Sequence, residues 1–255
     1  MNRVYFLGAG PGDAELLTLR AARLLAACPV VYAPTPFETT FADQLQGKHV
    51  LIPFDYYFRD LLEQIDRQLR SGSVAFLVPG DLSFYSPFQA LVDALGDRAV
   101  VVPGVGTANA AAAYLKKTLD LPGVCNRAIL ASPRTLGDGP GAPTMGDLAA
   151  PGVTLLIYMN NLPLAELVTQ LRAGYGSNVA IAIAHRLGLP GEEVVQGHLD
   201  DIVEQIGERD FFNLNSPDRR PALTLVLVGE SLDAEASGRW WDHRRDHIWR
   251  MRGAE

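Results

Sequence analysis

The chain is poor in several residue types that would announce a function. It holds only two cysteines, Cys28 and Cys125, among 255 residues. Their separation has no metal-ligand spacing, so they are expected to be reduced structural thiols. Basic residues are also scarce: 22 Lys and Arg stand against 29 Asp and Glu, a net charge of -7. Such a balance argues against a surface built to wrap nucleic acid, and no nucleic-acid partner is expected. No apolar run is long enough to cross a bilayer, and the N-terminus enters strand pattern without a charged region followed by an apolar stretch. A soluble, cytoplasmic protein without a membrane partner is the expectation. His243 and His247 have the i, i+4 spacing of a ligand pair, but no third ligand is evident and Arg244 and Arg245 lie between them. No bound metal is expected.

Apolar residues, by contrast, are plentiful at 48%, enough for one large or two small cores. Short β-type runs alternate with helical patterns: 3–7 then 14–27, 30–33 then 58–70, 74–78 then 87–95, 99–102 then 107–117. That alternation predicts an open parallel α/β layer, and runs as apolar as Val74-Ala75-Phe76-Leu77-Val78 predict strands covered on both faces. Pro122 and Gly123 break the pattern, which predicts an N-terminal α/β domain over 1–118 and a second over 119–255. The second half offers strands at 127–131, 153–158, 179–184, 193–196 and 222–228 with helices at 162–173 and 199–206. Two of these strands come without a helix of their own, so a mixed sheet is expected there. Residues 136–143 are too rich in glycine and proline for regular structure. The tail from Arg239 to Arg250 is basic and holds all three tryptophans. It reads as a helix, either covering an interface or groove or docked on its own domain.

The most informative stretch is Gly8-Ala9-Gly10-Pro11-Gly12-Asp13, set between the strand pattern Val4–Leu7 and a helix. A glycine turn at the carboxyl end of a first strand lets a nucleotide-like ligand approach the main chain. A dinucleotide fingerprint fails on detail. Its last glycine is replaced by Asp13, better suited to capping the next helix, and Pro11 removes an N–H from the phosphate cradle. The second strand, Val30-Val31-Tyr32-Ala33-Pro34, also ends without the acidic residue that holds a ribose, so NAD is disfavoured.

Three further turns stand at predicted strand ends: Pro79-Gly80-Asp81 through Ser86, Pro103-Gly104-Val105-Gly106-Thr107, and Tyr158-Met159-Asn160. With the stretch from Gly8 to Ala21 and the pair Pro221-Ala222, they make the sequence resemble the tetrapyrrole methylases. These are S-adenosylmethionine-dependent methyltransferases of the corrin, sirohaem and diphthamide pathways. The resemblance runs most of the chain. Within the family, 110–134 is most similar to precorrin-4 C(11)-methyltransferases, while Phe84-Tyr85-Ser86-Pro87-Phe88 leans towards the precorrin-2 C(20) enzymes.

The resemblance implies a two-domain α/β fold with the ligand cleft between a parallel and a mixed sheet, a homodimer, and a tetrapyrrole substrate. S-adenosylmethionine is the implied cofactor and S-adenosylhomocysteine its product. Residue by residue, Pro11 would line the cleft. Pro79, Gly80 and Asp81 would bind the donor's amino-acid part, with Phe84 or Tyr85 beside it. Gly106 and Thr107 would meet the donor from the next turn, and Met159 with Pro221 and Ala222 would enclose the adenosine. Core packing is the plainer reading of Met159. Leu82 replaces a family proline and Gly106 a hydroxyl residue, so a donor-binding module without turnover stays open; a protein or RNA methyltransferase, as other branches of this fold are, is the further alternative.

Methyl transfer from a sulfonium is an in-line displacement, so neither a triad nor a metal is expected. No catalytic residue is assigned from the sequence. Arg134 and Arg186 are the candidates for meeting substrate carboxylates. His185 reads either as a base titrating near neutrality or as a hydrogen-bonded structural residue. Phe54, Tyr56, Tyr57 and Phe58 read either as a platform for a planar macrocycle or as a plain hydrophobic patch.

Overall fold

In the computed structural model, which describes residues 2–137, 139–215 and 222–247, the chain divides into two compact units. The first takes the residues up to Ala111 together with Arg186–Glu192; the second takes Ala112–His185 and the residues from Glu193 onward. This differs from two continuous stretches meeting after residue 118. The division falls inside the helix Thr107–Leu115 rather than after it, and Leu189 of the returning segment is buried in the same core cluster as Leu7, Ala9 and Ala21.

The first unit carries five strands, β1 (Val4–Gly8), β2 (Val30–Tyr32), β3 (His49–Leu51), β4 (Val74–Val78) and β5 (Ala99–Val102). They lie in the order β3-β2-β4-β1-β5, each pair parallel. Side chains alternate between two buried faces. Leu7, Val31, Ala75 and Leu77 pack on one face with Ala21 and Leu25 of α1 (Leu19–Ala27). The short helices α2 (Phe37–Thr40) and α3 (Ala42–Leu45) complete that side through Phe37, Phe41 and Leu45. Phe6, Tyr32 and Phe76 pack on the other face with Leu61 and Ile65 of α4 (Phe58–Gln68) and Leu91 and Leu95 of α5 (Gln89–Leu95). There Tyr32 and Phe6 stack on Phe76, with ring centroids 4.4 and 5.0 Å apart.

The single helix expected over 14–27 is two pieces, a 3-10 turn at Ala14–Leu16 and then α1. Two capping residues explain the break. Asp13 accepts from the Glu15 N–H at 2.8 Å, and the Thr18 hydroxyl accepts from the Ala21 N–H at 3.1 Å. Strand β3 escaped the sequence reading because its three residues are only partly covered and show no alternation.

α6 (Thr107–Leu115) follows β5, and the division between units falls inside it. The second unit holds β6 (Arg127–Ala131), β7 (Val153–Tyr158), β8 (Ala180–His185), β9 (Glu193–His198) and β10 (Thr224–Val228), in the order β6-β7-β10-β8-β9. Only β6 and β7 pair in parallel; the sheet is mixed, as expected. The short helices α7 (Pro133–Leu136) and α8 (Met145–Leu148) precede β7. One face packs under α9 (Leu164–Tyr175) and α10 (Ile202–Ile206), burying Leu167, Leu171, Ile202 and Ile206 against Leu155, Ile157, Ile183 and Val226. The last described element, α11 (Gly238–His247), buries none of its residues.

Candidate functional site

The carboxyl ends of β4, β1 and β5 stand side by side, and the three glycine turns of the first unit issue from them. The turns are joined through backbone. Gly10 donates to the Gly80 carbonyl at 3.0 Å and Gly80 donates back to the Gly10 carbonyl at 2.8 Å, an isolated two-residue bridge beyond the strands. Gly8 and Gly104 touch main chain to main chain: a Cβ on Gly8 would lie 2.4 Å from the Gly104 nitrogen. Both positions therefore require glycine. The result is an edge built from main chain, with Gly8, Gly10 and Gly80 buried and Gly104 and Gly106 partly exposed.

Pro11, Pro79, Gly80, Asp81, Gly106 and Thr107 all fall on these three turns. A Cβ on Gly80 would stand 3.6 Å from the Thr107 hydroxyl, so the second and third turns meet there. The two Asp81 carboxylate oxygens accept from the Ser83 N–H and hydroxyl at 3.0 and 3.1 Å. Phe84 and Tyr85 follow on the same loop with exposed rings, and Tyr85 holds a left-handed φ of 54°.

One of the two departures from the family pattern has a local cause. Leu82 packs against the Phe6–Phe76 core, where its side chain serves the hydrophobic layer. At Gly106, a Cβ would meet the Asn109 Oδ1 at 3.1 Å. The returning segment was missed by sequence reasoning altogether. It covers the first turn: a Cβ on Gly12 would lie 2.2 Å from Leu189 Cδ2, and one on Gly188 would lie 2.9 Å from the Asp13 nitrogen. Its signal is the glycine in Arg186-Leu187-Gly188-Leu189 directly after a strand.

The second unit builds its edge differently. Met159 ends β7 with φ 49° and Leu223 precedes β10 with φ 53°. The antiparallel register Leu225↔Tyr158 places these two residues at the same end of neighbouring strands, with Ala222 just beyond. A left-handed backbone in a non-glycine residue stores of order 1–3 kcal/mol, and such residues cluster at functional sites. Pro221 lies outside the described residues.

At the next strand, the His185 Nδ1 is 2.7 Å from the Thr224 hydroxyl, which donates to the Phe211 carbonyl at 2.6 Å. Because that hydroxyl spends its proton on a carbonyl, it accepts from His185, which fixes the proton on Nδ1. The imidazole also stacks on Phe211 at 4.8 Å. His185 thus ties loop to sheet, in the manner of the structural alternative. Arg186 donates from Nε to the Pro190 carbonyl within its own turn at 2.8 Å, whereas Arg134 is exposed on α7.

Burial pushes the Cys28 thiol up to about 11, against the smaller opposing pull of Lys48. Cys125 is buried beside the Thr154 hydroxyl at 3.4 Å. Among the described residues no group of three His, Cys, Asp or Glu side chains could hold a metal ion. No described helix is long and apolar enough to cross a membrane.

Residues 3–203 match the family model of the tetrapyrrole (corrin/porphyrin) methylases. The chain is 33% identical to the precorrin-4 C(11)-methyltransferase of Pseudomonas aeruginosa over 249 residues, covering 96% of each chain. With the enzyme of the same name from Mycobacterium tuberculosis it shares 31% identity, over 91% of this chain and 92% of that one. In fold it is similar to a cobalamin biosynthetic enzyme, cobalt precorrin-4 methyltransferase (TM-score 0.75, 22% identity, 91% of this chain and 96% of that one). It is also similar to uroporphyrin-III C-methyltransferase from Thermus thermophilus complexed with S-adenosylhomocysteine (TM-score 0.65, 26% identity, 91% and 99%). On a matched span that runs from the first strand into α10, the chain belongs to the tetrapyrrole (corrin/porphyrin) methylase family and is a methyltransferase.

Proposed function

We propose that this methyltransferase takes its methyl group from S-adenosylmethionine and places it on C(11) of precorrin-4, in cobalamin biosynthesis. The observation that carries this reading is the joined glycine edge of β1, β4 and β5, in a chain 33% identical to a precorrin-4 C(11)-methyltransferase over 96% of its length. The donor-binding residues we propose are Pro11, Pro79, Gly80, Asp81, Phe84, Tyr85, Gly106 and Thr107 in the first unit and Met159, Pro221 and Ala222 in the second. Their chemistry suits such a donor. The Gly80 and Gly106 carbonyls, each with a second lone pair, suit the amino group of an amino acid, and the soft Met159 side chain suits the face of an adenine.

S-adenosylmethionine supplies an electrophilic methyl and leaves as S-adenosylhomocysteine. The remaining work is positional. An in-line displacement by an electron-rich carbon needs two molecules held in line and shielded from water, a contribution that can reach about 7–11 kcal/mol of the barrier. Arg134, exposed at the start of α7, is the proposed contact for a substrate carboxylate.

The test is calorimetric titration with S-adenosylhomocysteine, followed by methyl-transfer assays on precorrin-4, precorrin-2 and their cobalt forms. Saturable binding with turnover on precorrin-4 supports the reading. Absence of binding overturns the donor site, and turnover confined to another macrocycle overturns the substrate. The reading extends to a cytoplasmic homodimer, with light scattering as the check on its mass.

A further inference from the structure

Exposed aromatic rings gather at one place in the first unit. Phe54, in the turn after β3, is 62% exposed; Tyr57 and Phe58, entering α4, are 86% and 48% exposed; Phe84, in the loop after β4, is 54% exposed. Soluble proteins rarely leave such rings contiguous in water without a use for them. Since β3 and β4 run parallel on either side of β2, both loops leave the same edge of the sheet as the glycine turns.

Phe54 is held from beneath. Phe54 lies parallel to Phe88 at 5.7 Å and 15°, joining the turn after β3 to the loop after β4. Phe88, 1% exposed, packs in turn on Phe76 and Phe6 at 5.6 and 6.3 Å, and Tyr56 packs against the same cluster. Phe54 thus stands on a footing of buried, mutually packed rings. The tryptophans of α11 differ: the Trp240 ring already carries the Arg244 guanidinium at 5.1 Å and the His243 ring at 5.7 Å.

We propose that Phe54, Tyr57 and Phe58, continued by Phe84, form a shelf that takes one face of a conjugated carboxylated macrocycle. The proposal rests on the tetrapyrrole reading above and names where the ring lies. The charges adjoining the shelf in sequence, Asp55, Arg59, Asp60 and Asp81, include a single cation. Attraction at the shelf is therefore stacking and desolvation of ring faces, and the shelf itself pairs no carboxylate of the macrocycle. Ion pairing at such a site would be screened by salt, whereas stacking is not.

The probe is coproporphyrin, followed by fluorescence with wild type, Tyr57→Ser and Phe54→Leu; the second variant keeps apolar volume but removes the ring. Each variant is expected to bind coproporphyrin about 5- to 10-fold more weakly, the scale of one lost aromatic contact. The KM for the methyl acceptor should rise in parallel, with kcat and S-adenosylhomocysteine affinity unchanged. Wild-type affinity should change less than about twofold when salt is raised to screen ion pairs. Unchanged affinity in both variants overturns the proposal. So does a steep salt dependence, or a drop in oligomeric mass in Tyr57→Ser, which would make the shelf a contact between copies. Failure of wild type to bind S-adenosylhomocysteine would instead strike the donor site and leave the shelf standing.

Discussion

The two units shape their strand ends by opposite means. The first removes side chains: Gly8, Gly10, Gly80 and Gly104 let three turns meet main chain to main chain. The second keeps side chains and forces the backbone, holding Met159 and Leu223 left-handed and pinning the start of β10 through His185, Thr224 and Phe211. A glycine edge is cheap in strain but intolerant of any added atom. A strained edge tolerates substitution by glycine and depends on the network that holds it.

Breaking the glycine edge should have the largest effect. In Gly104→Val the new Cβ would fall 2.5 Å from the Gly8 carbonyl carbon, where neither backbone can retreat, and the first unit should lose about 3 kcal/mol or more. Urea unfolding should show this as a lost or strongly shifted transition. In the second unit, Thr224→Val keeps the side-chain shape and removes the hydroxyl between His185 and Phe211. A cost of about 1–3 kcal/mol is expected from the buried partners left unpaired, with Thr224→Ser recovering most of it in the same assay.

The opposite sign is expected at Leu223, which is 38% exposed with φ 53°. Leu223→Gly should stabilise the protein by about 1 kcal/mol by releasing left-handed strain, seen as a higher urea midpoint at constant slope. Destabilisation instead would show that the strained edge is held by the side chain itself. The last effect is confined to high pH. Because burial raises the Cys28 thiol from 9.0 to about 11, the folded state keeps a proton that the unfolded chain releases. The stabilisation is complete below pH 9 and is lost as pH rises towards 11, so Cys28→Ala should flatten part of the decline of Tm over that window.

The same contrast explains what could be read from the sequence. The glycine edge was legible because only glycine serves where turns touch, so Gly8, Gly80 and Gly104 mark themselves after apolar strands. Asp13 was legible as a cap for the same local reason. The strained edge was not. Nothing about Leu223 as a residue type announces φ above 50°, since tertiary pairing imposes it. Met159 was reached only through family resemblance. The return of Arg186–Glu192 to the first unit was hidden because its cause, Leu189 against Gly12, joins residues far apart in sequence. β3 was too short for a periodic signal.

The central claim is methylation of a corrin precursor by this chain. The most direct measurement is incubation of purified protein with precorrin-4 and carbon-labelled S-adenosylmethionine, with the product read by carbon NMR. The account predicts one new labelled methyl signal at C(11), together with stoichiometric S-adenosylhomocysteine. An unlabelled macrocycle, or label at any other ring carbon, would contradict it.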